Sequence, residues 1–182
     1  MIFKLIVAIC KNGGIGIDGK LPWHFKEDLK RFSKLTKGNG KNAIIMGKNT
    51  WLSIPNTPLP HRDNLILSTS MSVQTFEHGV CIKSFPNIDE VYDYCKKKDY
   101  EEVWVIGGQG VYEQFIAENR IDELHITYIN KTYVCDTFFP KKIKGFTLCK
   151  EEESDNNNIK YLTYKKAPLD TDHVDGNQLY IY

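Results

Sequence analysis

Short, unbroken apolar runs separated by helix-like stretches constrain the fold of this chain more than any other feature. Several of the runs are continuous rather than alternating, which is typical of strands covered on both faces. The runs of strand length are residues 5–9, 43–46, 64–67, 103–106 and 124–129. Helix-like stretches lie between some of them, at residues 25–37, 50–54, 88–97 and 111–118. This alternation predicts an α/β fold, a single domain with a central, mostly parallel sheet flanked by helices.

The end of the domain has a different pattern. Residues 146–150 and 159–164 flank a polar tract in which Asp155 and three asparagines favour a turn. We therefore expect an antiparallel C-terminal hairpin at the edge of the sheet. The predicted domain spans residues 1–166. Residues 167–182 are interpreted as an appended tail, which could be a linker remnant, an edge-covering segment or a contact for a partner.

Composition limits the classes of function. The chain has 182 residues, enough for one compact domain, and a formal net charge of +1, which gives no global attraction to nucleic acid or to an anionic membrane. Residues 2–10 are apolar but short and contain Lys4, so they indicate a buried strand rather than a signal peptide or a membrane span. The 5 cysteines are scattered, and the 5 histidines lack metal-ligand spacing. We expect free thiols in a reducing, cytoplasmic compartment and no metal.

Two nucleotide-binding patterns occur near the amino terminus. A GxGxxG match begins at Gly14, and the same stretch, up to Lys20, fits GxxxxGK. Both patterns need a helix to open beside the glycines, whereas Pro22 restricts Leu21 to an extended conformation. We therefore interpret residues 12–20 either as a mobile lid beside a pocket or as a plain surface turn.

One carboxylate lies on the apolar side of a predicted helix. At about 100° per residue, Asp28 falls within an arc of apolar side chains. The arc comprises Phe25, Leu29, Phe32 and Leu35. No basic residue shares this side of the helix, and an unpaired buried carboxylate is costly. Asp28 either hydrogen-bonds to backbone or water, or it binds a ligand with two parallel NH donors, such as a 2-amino-4-oxo pyrimidine ring. Desolvation would raise its proton affinity, which suits acid chemistry.

Two predicted strands end in glycine directly before a predicted helix. The run at residues 103–106 continues into Gly107 and Gly108, and the run at residues 43–46 continues into Gly47. Free NH groups at a helix start, and the close approach that glycine allows, make such an end an anion site, although a tight packing turn looks the same. Two such sites on neighbouring strands would suit the two phosphates of a dinucleotide.

Seven short segments occur in the order and spacing of one known family. They are Gly16 with Leu21, Pro22 and Trp23; Asp28 in its helix; residues 45–51; residues 53–55; residues 58–62; residues 106–112; and residues 136–140. Together they resemble the dihydrofolate reductase family from residue 2 to about residue 166. The resemblance implies reduction of 7,8-dihydrofolate to 5,6,7,8-tetrahydrofolate by hydride transfer from NADPH. It also implies a monomer with a small-molecule substrate and no nucleic-acid or membrane partner.

The resemblance implies roles for residues at matching positions. Asp28 would hold the 2-amino group and N3 of the pterin and help to protonate N5, through water or the pterin itself. Thr127 would hydrogen-bond to Asp28 or to the pterin's amino group. Arg62 would bind the glutamate carboxylate of folate, a pairing suited to a planar guanidinium. Residues 12–23 would form the lid that closes over the nicotinamide.

Larger sets would surround the substrate and the cofactor. The slot joining nicotinamide and pterin would be lined by Ile9, Leu21, Phe32, Ile54, Ile106 and Tyr112. The catalytic set would contain Asp28, Leu21, Trp23, Tyr112 and Thr127, and Ser53 would join the substrate site. The cofactor would contact Ala8, Ile15, Gly16, Gly47, Lys48, Asn49, Thr50, Ser68, Thr69, Ser70, Lys83, Ile106, Gly107, Gly108, Gln109, Gly110, Val111 and Tyr112. The peptide between Gly107 and Gly108 would be the family's cis glycine peptide.

Departures from the family pattern concern the cofactor. Asn49 stands where many relatives have a second basic residue, and a basic group that some use for the 2′-phosphate is here Thr69 or Gly110. Preference for the phosphorylated cofactor is therefore implied less strongly than the pterin chemistry. One alternative is the pyrimidine reductase of riboflavin synthesis, which would not need Asp28 or Arg62 at these positions. The other is a non-catalytic folate- or nucleotide-binding module.

Overall fold

A computed structural model describes residues 1–168 and 178–182 of the chain. The helices are α1 (Lys26–Lys37), α2 (Lys48–Ser53), α3 (Ile88–Lys97) and α4 (Gln109–Ala117). The strands are β1 (Ile2–Cys10), β2 (Gly14–Gly16), β3 (Ala43–Gly47), β4 (Asp63–Leu67), β5 (Gln74–Glu77), β6 (Val80–Phe85), β7 (Glu102–Gly107), β8 (Glu123–Ile129), β9 (Thr137–Phe138), β10 (Lys142–Lys144), β11 (Phe146–Glu153), β12 (Ile159–Lys166) and β13 (Gln178–Tyr180). None of these helices, which are all that the described residues contain, is long and apolar enough to cross a membrane.

Nine of the strands form one sheet in the order β11-β12-β8-β1-β7-β3-β4-β6-β5. The six central strands, from β8 to β6, run parallel to their neighbours. The hairpin of β11 and β12 continues the sheet beyond β8 in the antiparallel sense, and β5 does so at the other edge. The predicted α/β fold with a C-terminal antiparallel hairpin is confirmed.

Helices cover both faces of the sheet, which explains why its central strands are continuously apolar. On one face, Val91 of α3 and Phe115 of α4 pack with the odd-numbered residues of β1 in the largest buried cluster. On the other face, Phe32 of α1 and Ile54, the residue after α2, pack against a second buried cluster, which contains Ile6. The two sides of β1 therefore look into different environments.

Local sequence explains where several elements begin and end. Asn87 caps α3: its side chain accepts the Glu90 N–H at 2.9 Å, and its side-chain amide donates to the Glu90 carboxylate at 3.2 Å. The prediction of α3 is confirmed at both ends. α2 and α4 each begin two residues earlier than predicted. Strand β6 was not predicted from the sequence, because Lys83 and Ser84 interrupt its apolar run.

The far end of the chain returns to the folded body. β13 pairs antiparallel with β10, and Ile181 is buried in the largest core cluster. Residues 178–180 therefore form one strand of a two-stranded sheet, while the stretch between residues 168 and 178 lies outside the described residues. The proposed domain boundary after residue 166 stays a prediction.

Candidate active site

Helix α1 carries Asp28 into the space between the helix and the sheet. Asp28 is half-buried, and the Thr127 hydroxyl on β8 donates a hydrogen bond of 2.6 Å to its Oδ1 atom. Burial raises the pKa of Asp28; the Thr127 hydrogen bond and the positive charge of Arg31 oppose that rise, and the charge of Glu27 adds to it. Asp28 takes part in none of the ion pairs formed by the described residues. The side chain is thus turned inward and holds one neutral partner.

An apolar slot adjoins this carboxylate. Phe32, Ile54 and Ile106 are half-buried and pack together against the cluster that contains Ile6. Ile9 does not belong to this group: it is 0% exposed and lies in the cluster on the opposite face of the sheet. The assignment of Ile9 to the slot is wrong, and Ile6 takes that place. Strand alternation along β1 could have corrected it, since residues an odd number of positions apart face opposite sides.

The amino-terminal half of α1 is less buried than the apolar arc predicted. Leu29 is 44% exposed, and Leu21, at the end of the glycine-rich segment, is 51% exposed. Two large apolar side chains close in sequence to Asp28 and Trp23 are therefore exposed to solvent.

Trp23 follows the glycine-rich segment in sequence and lies in a third buried cluster with Cys10 and Ile129. It is buried, and its ring packs edge-on against Tyr133 with 5.3 Å between centroids. Its indole N–H is buried and has no hydrogen-bond partner among the described residues. Ala8 packs against the same cluster. A buried donor without a protein partner is a position where water or a ligand atom is accommodated.

The two glycine-terminated strands lie side by side. β3 and β7 are parallel neighbours, and Gly107 pairs with Met46, the residue before Gly47, after a register shift. A Cβ atom on Gly47 would lie 3.2 Å from Val111 Cγ2, and one on Gly107, where φ is +121°, would lie 3.1 Å from the Tyr112 hydroxyl. The Gly107–Gly108 peptide is cis, as the family resemblance implies. The two glycine ends therefore lie on neighbouring strands, at the carboxyl edge of the sheet.

The start of α4 completes this edge. A Cβ atom on Gly108 would lie 3.5 Å from Thr50 Oγ1, so the starts of α2 and α4 are adjacent. A Cβ atom on Gly110 would meet no atom within 4 Å, which leaves the first turn of α4 open. Tyr112 donates its hydroxyl to the Ile6 carbonyl at 2.8 Å, and burial raises the pKa of this phenol. Gln109 accepts the Phe138 N–H at 3.0 Å and so connects α4 to β9.

A small group of polar side chains lies near the start of α2. The Lys48 ammonium donates to Ser70 Oγ at 2.9 Å, and Ser68 Oγ accepts the N–H of Ser70 at 3.1 Å. Thr69 and Asn49 are exposed. Lys48 pairs with no carboxylate in the part of the chain that the structure describes. One cation and several hydroxyls are thus available to an anionic group.

Two other predicted contacts are engaged with their own neighbours. The Lys83 ammonium lies over the rings of Tyr94 and Phe85, 4.9 and 5.4 Å from their centroids. Ser53 is exposed and donates its hydroxyl to the Thr50 carbonyl at 2.8 Å. Neither side chain joins the group around Lys48 in the structure.

Arg62 is an unusual buried cation. Only 3% of its surface is exposed, its Nε donates to the Pro60 carbonyl at 3.0 Å, and its Nη1 donates to Thr36 Oγ1 at 2.5 Å. Burial lowers the pKa of Arg62 to about 10. Thr36, whose role the sequence reasoning missed, in turn donates to the Phe32 carbonyl at 2.8 Å. A guanidinium held in place by neutral acceptors retains its charge for an anionic ligand.

Residues 12–23, called the lid below, match the two nucleotide-binding patterns in sequence but form neither of the corresponding loops. No helix opens within them, and α1 starts only at Lys26. Instead, β2 pairs with β9. The Asp18 N–H donates to Asp136 Oδ2 at 2.9 Å, and the Asp136 N–H donates to the Gly16 carbonyl at 3.0 Å. Ile15 is half-buried against the core, so the lid is held by specific contacts at its glycines.

These features together define a class. An inward carboxylate, an apolar slot and a glycine-lined edge with an anion site lie on one α/β domain, as in reductases that pass a hydride from a nicotinamide cofactor to a small heterocycle. The dihydrofolate reductase family model matches residues 2–167. Dihydrofolate reductases of Aedes albopictus, Drosophila melanogaster and Heliothis virescens are 37%, 41% and 37% identical to the chain. The matches cover 91%, 76% and 82% of this chain and 98%, 79% and 85% of the relatives.

The chain therefore belongs to the dihydrofolate reductase family. It is an oxidoreductase of folate and one-carbon metabolism that reduces dihydrofolate and uses a nicotinamide cofactor.

Proposed function

We propose that the protein reduces 7,8-dihydrofolate to 5,6,7,8-tetrahydrofolate with NADPH, and that Asp28 controls the proton which the reaction consumes. The observation that carries this proposal is the half-buried Asp28 carboxylate, whose Oδ1 accepts one hydrogen bond of 2.6 Å from Thr127 beside an apolar slot. An ionised carboxylate can accept several hydrogen bonds, so Asp28 retains capacity for two parallel NH donors of a ligand.

Asp28 has two tasks in this proposal. In its ionised form it accepts hydrogen bonds from the 2-amino group and from N3–H of the pterin, which orients the ring in the slot. The pKa of Asp28 is raised, so the carboxyl takes up a proton more readily at neutral pH than an exposed aspartate does. That proton reaches N5 through water or through the pterin itself. Thr127 keeps the carboxylate oriented during both tasks.

Arg62 binds the other end of the substrate in this proposal. Its guanidinium is positioned by Pro60 and Thr36, neither of which neutralises it. A glutamate carboxylate is the part of folate that a planar, charged donor recognises with two hydrogen bonds. Asp28 and Arg62 would therefore hold the substrate at its two ends, and the apolar slot would fix the ring between them.

The residues at the glycine-lined edge fit a phosphorylated dinucleotide. At Gly47 and Gly107 a Cβ atom would lie only 3.2 and 3.1 Å from neighbouring side chains, and the first turn of α4 is open at Gly110. These NH groups would hold the pyrophosphate. Lys48, with Ser70 beside it, would hold a 2′-phosphate, which supports NADPH over NADH. When bound, the cofactor supplies the hydride.

The lid and the slot exclude water in this proposal. Leu21 and Trp23 lie at the carboxyl end of the lid, and Phe32, Ile54 and Ile106 form the apolar wall. A dry slot strengthens the hydrogen bonds of Asp28 and prevents loss of the hydride to solvent.

The same proposal includes a monomer in the cytoplasm, with no nucleic-acid partner. Asp28, Arg62 and both glycine ends come from one chain, so the site needs no second copy. The five cysteines are free thiols, which supports a reducing compartment.

Turnover tests the proposal directly. Purified protein should consume NADPH only when dihydrofolate is added, and should use NADH less efficiently. Asp28→Asn should lower the turnover rate by about 10²–10⁴-fold. Glu27→Gln, which changes the neighbouring exposed carboxylate of α1, is the matched control and should keep nearly full activity. Tight NADPH binding without turnover would instead favour a binding module, and full activity of Asp28→Asn would remove Asp28 from the mechanism.

A further inference from the structure

The chain brings Tyr182 to the base of the lid. Antiparallel pairing of β13 with β10 directs the following residues inward, and the Ile181 N–H donates to the Lys141 carbonyl at 3.3 Å. Ile181 is 6% exposed within the largest core cluster, which also contains Phe139. The segment is thus anchored by backbone pairing and by a buried side chain before it reaches the lid.

Tyr182 occupies the space where a side chain of Gly13 would lie. A Cβ atom on Gly13 would be 2.2 Å from Cε2 and Cζ of the Tyr182 ring, and Gly13 has a φ of +83°. Only glycine is compatible with both this conformation and this contact. The ring therefore packs directly on the lid backbone.

The same two residues are joined through the backbone of one residue, Phe139. The Tyr182 hydroxyl donates to the Phe139 carbonyl at 2.8 Å, and the Phe139 N–H donates to the Gly13 carbonyl at 3.0 Å. Phe139 also packs edge-on against Tyr112, with 5.6 Å between the ring centroids. Tyr112 lies beside Gly107 at the glycine-lined edge. Tyr182 therefore contacts a junction that touches both the lid and the cofactor edge.

We infer that Tyr182 is a positioning residue for the lid: its ring and hydroxyl hold Gly13 against Phe139 and favour the closed arrangement of residues 12–23. The functional consequence rests on the proposed role of the lid over the nicotinamide. Loss of Tyr182 would leave Gly13 with one face uncovered and would remove one hydrogen bond from the junction, so the lid would open more often. Substrate contacts at Asp28 and Arg62 would not change.

The test compares three variants of the full chain by hydrogen exchange of the lid amides, with no ligand. Tyr182→Ala should raise exchange of residues 12–16 about tenfold or more, since it removes the ring and the hydroxyl. Tyr182→Phe removes only the hydroxyl and should raise it about fivefold. Tyr180→Ala is the matched control, because Tyr180 lies two residues earlier and is 58% exposed; it should leave lid exchange unchanged.

Kinetics provide the second readout. Tyr182→Ala should weaken NADPH binding, measured by quenching of protein fluorescence, and lower kcat, while KM for dihydrofolate changes less than twofold. Unchanged lid exchange in Tyr182→Ala and Tyr182→Phe would overturn the inference. If Tyr182→Ala raises exchange throughout the chain, the Tyr182→Phe variant decides between the two explanations. Faster exchange of Tyr182→Phe in the lid alone supports the inference. Faster exchange of Tyr182→Phe throughout the chain, or no change in it, overturns the inference. Hydrogen exchange is measured without turnover. A protein that fails the reductase assay would therefore still show whether Tyr182 holds the lid.

Discussion

Replacing Asp28 by Asn is expected to stabilise the ligand-free protein at neutral pH, although it removes activity. Burial raises the pKa of Asp28, which means that folding disfavours the ionised carboxylate. A group whose pKa is higher in the folded than in the unfolded chain lowers stability as pH rises from its unfolded pKa, about 3.9, through its folded pKa. Asparagine stays neutral throughout this range, and its carbonyl oxygen can still accept the Thr127 hydrogen bond.

The expected gain in the free energy of unfolding is the cost of desolvating the carboxylate minus two contributions that stabilise its charge. Desolvation of a carboxylate costs several kcal/mol when burial is complete, and less for the half-buried Asp28. The Thr127 hydrogen bond offsets about 1.5–3 kcal/mol when its acceptor is charged and about 1 kcal/mol when the acceptor is an amide. Asp28 also lies in the first turn of α1, where a negative charge contributes about 0.3–1 kcal/mol. Asp28→Asn should therefore raise the free energy of unfolding by about 0.5–2 kcal/mol. This corresponds to a rise of about 1–8 °C in the unfolding midpoint of a domain of this size.

Thermal unfolding of the ligand-free proteins, followed by circular dichroism from pH 3.5 to pH 8, checks this expectation. The midpoint of Asp28→Asn should exceed that of the wild type at pH 7–8, and the difference should vanish below about pH 4, where Asp28 is protonated in both states. Glu27→Gln should show no such gain. An equal or lower midpoint for Asp28→Asn at pH 8, or a gain that persists at pH 3.5, would refute the reasoning.

Three further substitutions probe the rest of the site. Arg62→Lys should raise KM for dihydrofolate about 10–100-fold, because a point charge replaces a planar fork; a pterin substrate without the glutamate should be reduced at the wild-type rate. Lys48→Ala should raise KM for NADPH about tenfold or more, with little change for NADH; equal effects on both cofactors would contradict the 2′-phosphate contact. Gly107→Ala should lower the free energy of unfolding by about 1–3 kcal/mol, because φ is +121° and the Tyr112 hydroxyl lies 3.1 Å from the new Cβ atom; an unchanged unfolding midpoint would show that the backbone relaxes.

Much of the fold was predictable from local pattern. Continuous apolar runs identified five of the six parallel strands, all but β6, and the turn-rich tract identified the terminal hairpin. The capped helix α3 was predicted at both ends, since the sequence from Asn87 to Glu90 contains its start signal. The short strands β2, β9, β10 and β13 were not predicted. Each has two or three residues, and pairing with a partner distant in sequence defines it.

Some residues of the candidate site were predictable from local sequence, and others only from the family resemblance. Asp28 was identified from its helix face alone, because a lone carboxylate among apolar residues is anomalous at any sequence position. The glycine ends at Gly47 and Gly107 were identified from the strand–glycine–helix order. Thr127 was expected only through the family resemblance, and the 2.6 Å hydrogen bond to Asp28 supports it. Ile9 was placed on the wrong face because apolar composition does not distinguish the two sides of a strand covered on both faces.

By itself, the sequence determined the helices, most of the long strands and the side chains that are chemically out of place, since these depend on neighbours within a few positions. Only the tertiary structure decided which side chains distant in sequence contact each other. It put Ile6 rather than Ile9 beside the slot, held Arg62 with Thr36, and set Tyr182 in the space above Gly13. Such contacts join residues far apart in the chain. Local propensity carries no information on them, because packing and the pairing of buried polar groups select them only when the whole domain closes.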